Sequence, residues 1–233
     1  MTRRWPVVSF DAGGTLLEPW PSVGHVYADS AASLGLGPVD AQALNQQFAA
    51  AWRRPSAGTF DYSRSAWADI VARSFAGLVP QPDSPDLFHD AYARFTHPSA
   101  WRVFTEVRTT LQTLHDAGVR LIVTSNWDER LPRLLTDLAL APYFEWIAVS
   151  AEIGFHKPDS RCFHAVTTRL GVSAKQILHV GDSLREDIDG ARAAGWSAVQ
   201  ICRRSPPPAS TDALRSLQEL IPQVLGLDRA ATN

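Results

Sequence analysis

The sequence predicts an α/β fold, a doubly wound parallel sheet into which a helical bundle is inserted after the first strand. Three observations carry this. From Glu106 onward short apolar runs alternate with segments of helical periodicity, the pattern of strand–helix units that build a parallel sheet. Before that, from about residue 22 to residue 95, helical periodicity recurs with no convincing strand. At the N-terminus a lone apolar run, Pro6-Val7-Val8-Ser9-Phe10, breaks into Asp11-Ala12-Gly13-Gly14-Thr15, as a buried strand does when it stops abruptly in a loop.

In chain order, the first strand is followed by helical segments over 23–34, 41–52, 63–78 and 85–95. Breakers separate them: Gly35-Leu36-Gly37-Pro38, Pro55-Ser56-Ala57-Gly58 and Pro80-Gln81-Pro82. Val107, Leu111 and Leu114 then fall at helical spacing, Gly118 ends that helix, and 119–123 is a continuous apolar run that reads as a buried parallel strand. Asp128 caps the next helix, with Pro132 in its early turns. A strand over 146–149, a helix over 160–170 stopped by Gly171, a strand over 177–180, a helix over 185–194 ended by Gly195 and a strand over 197–201 complete the alternation. Residues 205–209, with three prolines, form a rigid loop, and Leu214, Leu217, Leu220, Ile221 and Val224 give a last amphipathic helix.

The chain of 233 residues, 45% hydrophobic and 20% charged, suits one large domain or a core carrying a smaller one. A net charge of −2 gives no electrostatic reason to expect nucleic acid or an anionic membrane as partner. Cys162 and Cys202 show no Cys-x-x-Cys spacing and lie in apolar runs, so they read as core residues. The N-terminal apolar run is too short for a signal peptide or a spanning helix, and the expected location is cytoplasmic. The eight tryptophans suit an interface or ordinary burial and leave the oligomeric state open.

Polar residues suited to phosphate chemistry cluster at four strand ends. Asp11 sits where open α/β sheets bind ligands, and Gly13 and Gly14 let backbone N–H groups turn in around an anion. Thr124-Ser125-Asn126 offers hydroxyl and amide donors. Lys157 follows the strand at 146–149 and precedes Pro158, and Asp182 and Asp187 follow the strand at 177–180. A nucleophilic carboxylate, a hydroxyl, a lysine and an acidic pair would surround a phosphoryl group and its divalent cation.

This ordered set resembles the haloacid dehalogenase-like (HAD) hydrolase superfamily, over nearly the whole chain. The insertion is similar to that superfamily's C1 cap, and Thr-Ser-Asn-Trp-Asp-Glu-Arg-Leu at 124–131 is similar to the HDHD3-like or REG-2-like branch. The resemblance implies a Rossmann-like core of residues 1–17 and 100–233, a helical cap of residues 18–99 that supplies specificity, and junctions near 17–21 and 96–102 that let the cap move. It makes Asp11 the nucleophile that forms an aspartyl-phosphate, with Ser125, Asn126 and Gly14 at the phosphoryl group and Lys157 neutralising its charge. Asp182 would hold Mg²⁺ with the Asp11 carboxylate and the backbone oxygen of Gly13, while Asp187 would bind through metal-bound water or support the lysine. An oxygen-only site of this kind suits Mg²⁺.

One position departs from the pattern. Phosphatases of this superfamily carry an acid–base Asp two residues after the nucleophile, where this chain has Gly13. General acid–base help is worth about 10²–10⁴-fold, so alkyl phosphate esters should be poor substrates. Three readings follow. The first is a Mg²⁺-dependent phosphatase of a small phosphorylated metabolite, whose leaving group needs no proton or takes it from Asp128, Glu129, Glu18 or His25. The second is a metal-independent 2-haloacid dehalogenase; those enzymes also lack the second Asp, but they carry Ser and Asn where this chain has Gly181 and Asp182. The third is a phosphate-ligand or protein-binding module with little or no catalysis. The cap aromatics, among them Tyr27, Trp52, Trp67 and Phe75, fall at helical spacing and read as bundle packing, while Arg53, Arg54 and Arg64 read as solvated.

Overall fold

The structure, a computed structural model, describes residues 4–53, 60–203 and 213–227. The breaker at 55–58, Arg54 and the proline-rich loop at 205–209 lie outside the described residues. The chain divides into two compact units, Met1–Leu17 with Val103–Asn233, and Glu18–Arg102.

The first unit is built on a five-stranded sheet. Its strands are β1 (Val7–Phe10), β4 (Arg120–Ser125), β5 (Trp146–Val149), β6 (Ile177–Gly181) and β7 (Ser197–Gln200), in the order β5-β4-β1-β6-β7 and all parallel. β1 is buried along its whole length, which is why a run of Val, Val, Ser and Phe without polar alternation can occupy the centre of the sheet. It pairs with β4 on one side and β6 on the other, Phe10 lying level with both Val123 and Val180. The connections turn in opposite directions from β1, so its carboxyl end opens on the crevice where doubly wound sheets bind ligands. Asp11 is the next residue, and its N–H donates to Val180 O at 2.8 Å.

Helices α5 (Val107–Asp116), α6 (Arg130–Asp137), α7 (Ser150–Ile153), α8 (Ser160–Leu170), α9 (Gly190–Ala193) and α10 (Leu220–Leu225) belong to this unit. Val7, Ile122, Ala148, Phe163, Val166, Ile177 and Trp196 form one buried cluster of sheet and helix residues. The structure differs from the sequence reading in two of its helices. The segment expected as one helix over 185–194 begins as a π-helical turn, Leu184–Asp189, in which Ser183 O accepts from Asp187 N at 3.0 Å and Ile188 N at 3.3 Å. The wider turn accompanies the bond that Asp187 makes back to the N–H of Ser183, described below. The last helix starts later than expected because Leu214 bridges to Ile201 instead.

The second unit holds α1 (Val23–Ser33), α2 (Ala41–Arg53), α3 (Arg64–Phe75) and α4 (Pro85–Arg94). Ser22 and Ser63 cap α1 and α3 by accepting from His25 N and Ala66 N. Tyr27, Ala31, Leu44, Val71, Phe75, Leu87 and Ala91 make its core, and Trp52 stacks on Trp67 with ring centroids 5.6 Å apart. Arg64 lies over the Tyr92 ring at 4.6 Å. The sequence reading missed β2 (Leu17–Pro19) and β3 (Trp101–Val103), which pair with each other where the chain passes between the units. Strands of three residues are too short for periodicity to show. Among the described residues no helix is long and apolar enough to cross a membrane.

Candidate active site

Two of the predicted residues converge on the carboxylate of a third. Asp11 Oδ1 accepts from Ser125 Oγ at 2.9 Å and from Lys157 Nζ at 2.8 Å. Ser125 ends β4, and parallel pairing sets it beside the end of β1. Lys157 is 1% exposed, and its ammonium makes three bonds: to Asp11, to Thr124 O at 2.8 Å and to Asp187 Oδ1 at 2.5 Å. Its three N–H donors are thereby matched by three acceptors, which fixes the nitrogen in place.

Asn126 holds the main chain that carries this lysine. Its Oδ1 accepts from Lys157 N at 2.7 Å, and its Nδ2 donates to Lys157 O at 2.8 Å and to Glu186 Oε2 at 3.1 Å. The amide expected to donate to phosphate is thus directed at the protein in this structure.

The acidic residues close the other side. Asp11, Asp182 and Asp187 each offer an oxygen, and these atoms lie within 4.8 Å of one another. Two glycines permit the approach. Gly14 has φ +75°, and a β-carbon there would fall 2.7 Å from Asp182 Cγ; a β-carbon on Gly181 would fall 2.5 Å from Asp187 Cβ. Asp187 Oδ1 also lies 3.1 Å from His179 Nε2, and its Oδ2 accepts from Ser183 N at 2.9 Å. His179 Nδ1 lies 3.0 Å from Ser9 Oγ, whose hydroxyl is 2.9 Å from that of Thr124. The sequence reading missed His179, Ser9 and Thr124 as a buried layer under the site. The available signal was a polar residue inside each of three largely apolar strands.

Burial opposes the charge on Lys157, but Asp11 and Asp187 outweigh it and hold the ammonium protonated far above the usual range. Burial likewise opposes the charge on Asp187, and Lys157 with His179 outweighs it, so that carboxylate stays well below its usual value. Asp11 is pushed up, by burial first and then by the charge of Asp187. The side chain of Asp182 reaches solvent, yet the protein crowding it, with Asp11 and Asp187, pushes its pKa up to about 7. Three carboxylates thus face one ammonium. The surplus of negative charge, the all-oxygen donors and their spacing fit a hard divalent cation, to which Asp11, Asp182 and Asp187 could each offer an oxygen.

Of the four groups expected to stand in for the acid absent at Gly13, two lie in this unit. Asp128 is buried and takes both its oxygens to Arg130, with Nε at 2.8 Å and Nη2 at 2.7 Å. Glu129 is exposed at the start of α6. Glu18 and His25 belong to the other unit, where Glu18 pairs with Arg102 and His25 Nδ1 lies 2.7 Å from Ser22 Oγ. What stands beside position 13 is an indole: a β-carbon there would lie 3.4 Å from Trp127 Cζ3.

The chain is similar to known proteins in sequence and in fold. The sequence pattern of the haloacid dehalogenase-like hydrolases matches residues 5–195. Haloacid dehalogenase-like hydrolase domain-containing protein 3 of Bos taurus is 32% identical over 232 residues, covering 93% of this chain and 92% of its own. Phosphoglycolate phosphatase of Pseudomonas fluorescens is 30% identical over 196 residues, covering 84% of this chain and 68% of its own. The putative HAD-hydrolase YfnB of Bacillus subtilis, solved bound to magnesium, superposes with a TM-score of 0.74 at 22% identity over 93% of this chain and 97% of that one, and so shares its fold.

Proposed function

Because the chain belongs to the haloacid dehalogenase-like hydrolase family, and because three carboxylates crowd one buried lysine at its sheet switch point, we propose that it is a Mg²⁺-dependent phosphatase of a small phosphorylated metabolite. A carboxylate oxygen of Asp11 attacks phosphorus, the bond from phosphorus to the leaving oxygen breaks, and the leaving group departs with the electron pair. Water then attacks the aspartyl-phosphate, releasing inorganic phosphate and restoring Asp11. Ser125 and Lys157, both bonded to Asp11, orient the nucleophile, and the ammonium offsets charge that develops on the phosphoryl oxygens. Bound Mg²⁺ would supply further charge neutralisation at those oxygens. Gly14, expected at the phosphoryl group, instead donates its N–H to Leu17 O at 2.8 Å and serves by leaving room for Asp182, while Asn126 keeps the lysine loop in register. With glycine at position 13, the favoured substrates have leaving groups that need no proton.

The electrostatic surplus carries this reading, and a relative named as a phosphatase supports it. The same acidic pair disfavours a metal-independent dehalogenase, since it would repel a haloacid carboxylate. The net charge of −2 favours a small-molecule partner over nucleic acid or a membrane surface, acting in the cytoplasm. The test is release of phosphate from acetyl phosphate and p-nitrophenyl phosphate with and without Mg²⁺. Mg²⁺-dependent turnover that disappears in Asp11→Asn is the expected result. Halide release from a 2-haloacid without metal would replace it with the dehalogenase. Ligand-dependent thermal stabilisation without turnover would replace it with a binding module.

A further inference from the structure

The feature the proposed chemistry leaves unused is the indole beside the missing acid. Position 13 is two residues past the nucleophile, and the first atom its side chain would meet is Trp127 Cζ3, at 3.4 Å. Trp127 follows Ser125 and Asn126, whose side chains bond Asp11 and Lys157, so the ring stands in the loop that binds the phosphoryl group. Its main chain is pinned on both sides. Trp127 N donates to Ser150 Oγ at 3.1 Å, and Trp127 O accepts from Ser150 Oγ at 3.0 Å and Ala151 N at 3.2 Å. The side chain is only half-buried. A partly accessible aromatic side chain on a pinned main chain therefore stands beside the position whose side chain would otherwise supply the proton.

An indole offers a π face and a single weakly acidic N–H, and it does not protonate a departing oxygen. A leaving group set against it leaves as the anion, which requires the charge to delocalise within the leaving group itself. A planar, conjugated leaving group meets that requirement and also stacks on the ring. We propose that Trp127 determines specificity, selecting phosphate monoesters of aryl alcohols over those of alkyl alcohols. This rests on the reading of Asp11 as phosphoryl acceptor and adds to it the class of leaving group.

Two phosphonates that cannot be hydrolysed separate binding from turnover. Mg²⁺-loaded protein is titrated calorimetrically with phenylphosphonate and methylphosphonate, in native form and as Trp127→Leu and Trp127→Phe. Native protein is expected to bind phenylphosphonate about tenfold more tightly, the equivalent of one good aromatic contact. Trp127→Phe should keep most of that preference. Trp127→Leu should bring the two affinities within about twofold, leaving methylphosphonate unchanged because the phosphoryl cradle is intact. Equal affinities in native protein overturn the proposal without recourse to a variant, as does a preference that survives in a folded Trp127→Leu. If neither phosphonate binds, the phosphatase reading falls and this inference falls with it, whereas phosphoryl binding without aryl preference removes this inference alone.

Discussion

On the proposed phosphatase reading Gly13→Asp supplies the acid that the site lacks, and the surroundings of position 13 bound what it should do. Position 13 has no left-handed φ, and the nearest atom to an added β-carbon, Trp127 Cζ3, is at 3.4 Å, so a β-carbon enters without backbone strain and at ordinary contact distance from the indole. Replacing glycine at an unstrained position stabilises by about 0.4–1 kcal/mol through the unfolded chain, which leaves the fold secure. The gain in rate is then that of a general acid, about 10²–10⁴-fold, or roughly 3–5 kcal/mol off the barrier. It belongs to substrates whose leaving group must be protonated. kcat/KM reports the first irreversible step, transfer to Asp11, so an alkyl phosphate should gain the full factor while acetyl phosphate, which loses a weakly basic carboxylate, gains on the order of one- to threefold. Phosphate release under subsaturating substrate, with Mg²⁺, measures both. An equal gain for the two substrates would refute the argument, because position 13 would then be acting on something other than the leaving group. No gain for either, with fold and Mg²⁺ affinity intact, would show that the proton already arrives from elsewhere.

Two further outcomes follow from the packing and charge around the acidic pair. In Gly181→Ala the new β-carbon would sit 2.5 Å from Asp187 Cβ, so Asp187 must move off Lys157; a loss of about 1–3 kcal/mol in urea unfolding, with a fall in kcat, is expected, and an unchanged midpoint would contradict the close approach. Asp182 is raised from 3.8 in the open chain to about 7, so the folded state holds a proton the unfolded state has lost between those values. Stability therefore drops as pH rises from about 4 to 7, and the penalty is complete above that window. At pH 8 without metal, Asp182→Asn should melt above native protein, and Mg²⁺ should stabilise native protein but not the variant. A variant that melts lower at pH 8 would mean that the carboxylates are not in conflict.

How much of this could be read in the sequence depended on what holds each residue. Asp11, Ser125, Lys157, Asp182 and Asp187 all follow apolar runs, and in a parallel sheet the ends of neighbouring strands share one crevice, so chain order alone brings them together. The helices of the inserted unit were legible because each carries 3.6-residue periodicity between glycine and proline breakers. The partner of the Asn126 amide was not, because whether a side chain faces a ligand or the main chain of Lys157 depends on a loop path that periodicity does not encode. His179 was hidden for a related reason. In the run Ile177-Leu178-His179-Val180 it looks like a stray polar residue, and only the register that sets it beside Ser9 and under Asp187 gives it a role. The π-turn was equally silent: it goes with the Asp187 side chain turned back on the N–H of Ser183, a contact that no residue's helix propensity encodes.

The pairing of β2 with β3 bears on how the molecule assembles. β1 lies at the centre of the sheet, yet both its partners come from beyond Glu18–Arg102, so joining them means closing a very long loop. For a flexible chain the entropy lost in such a closure grows with loop length. Here the intervening stretch has its own core, and its two ends are already zipped together by a short ribbon, so once it has folded it joins β1 to the rest of the chain as a tight turn would. Sequence separation then overstates the distance that folding must bridge. The segment that interrupts the catalytic core is also a staple that shortens the search for it.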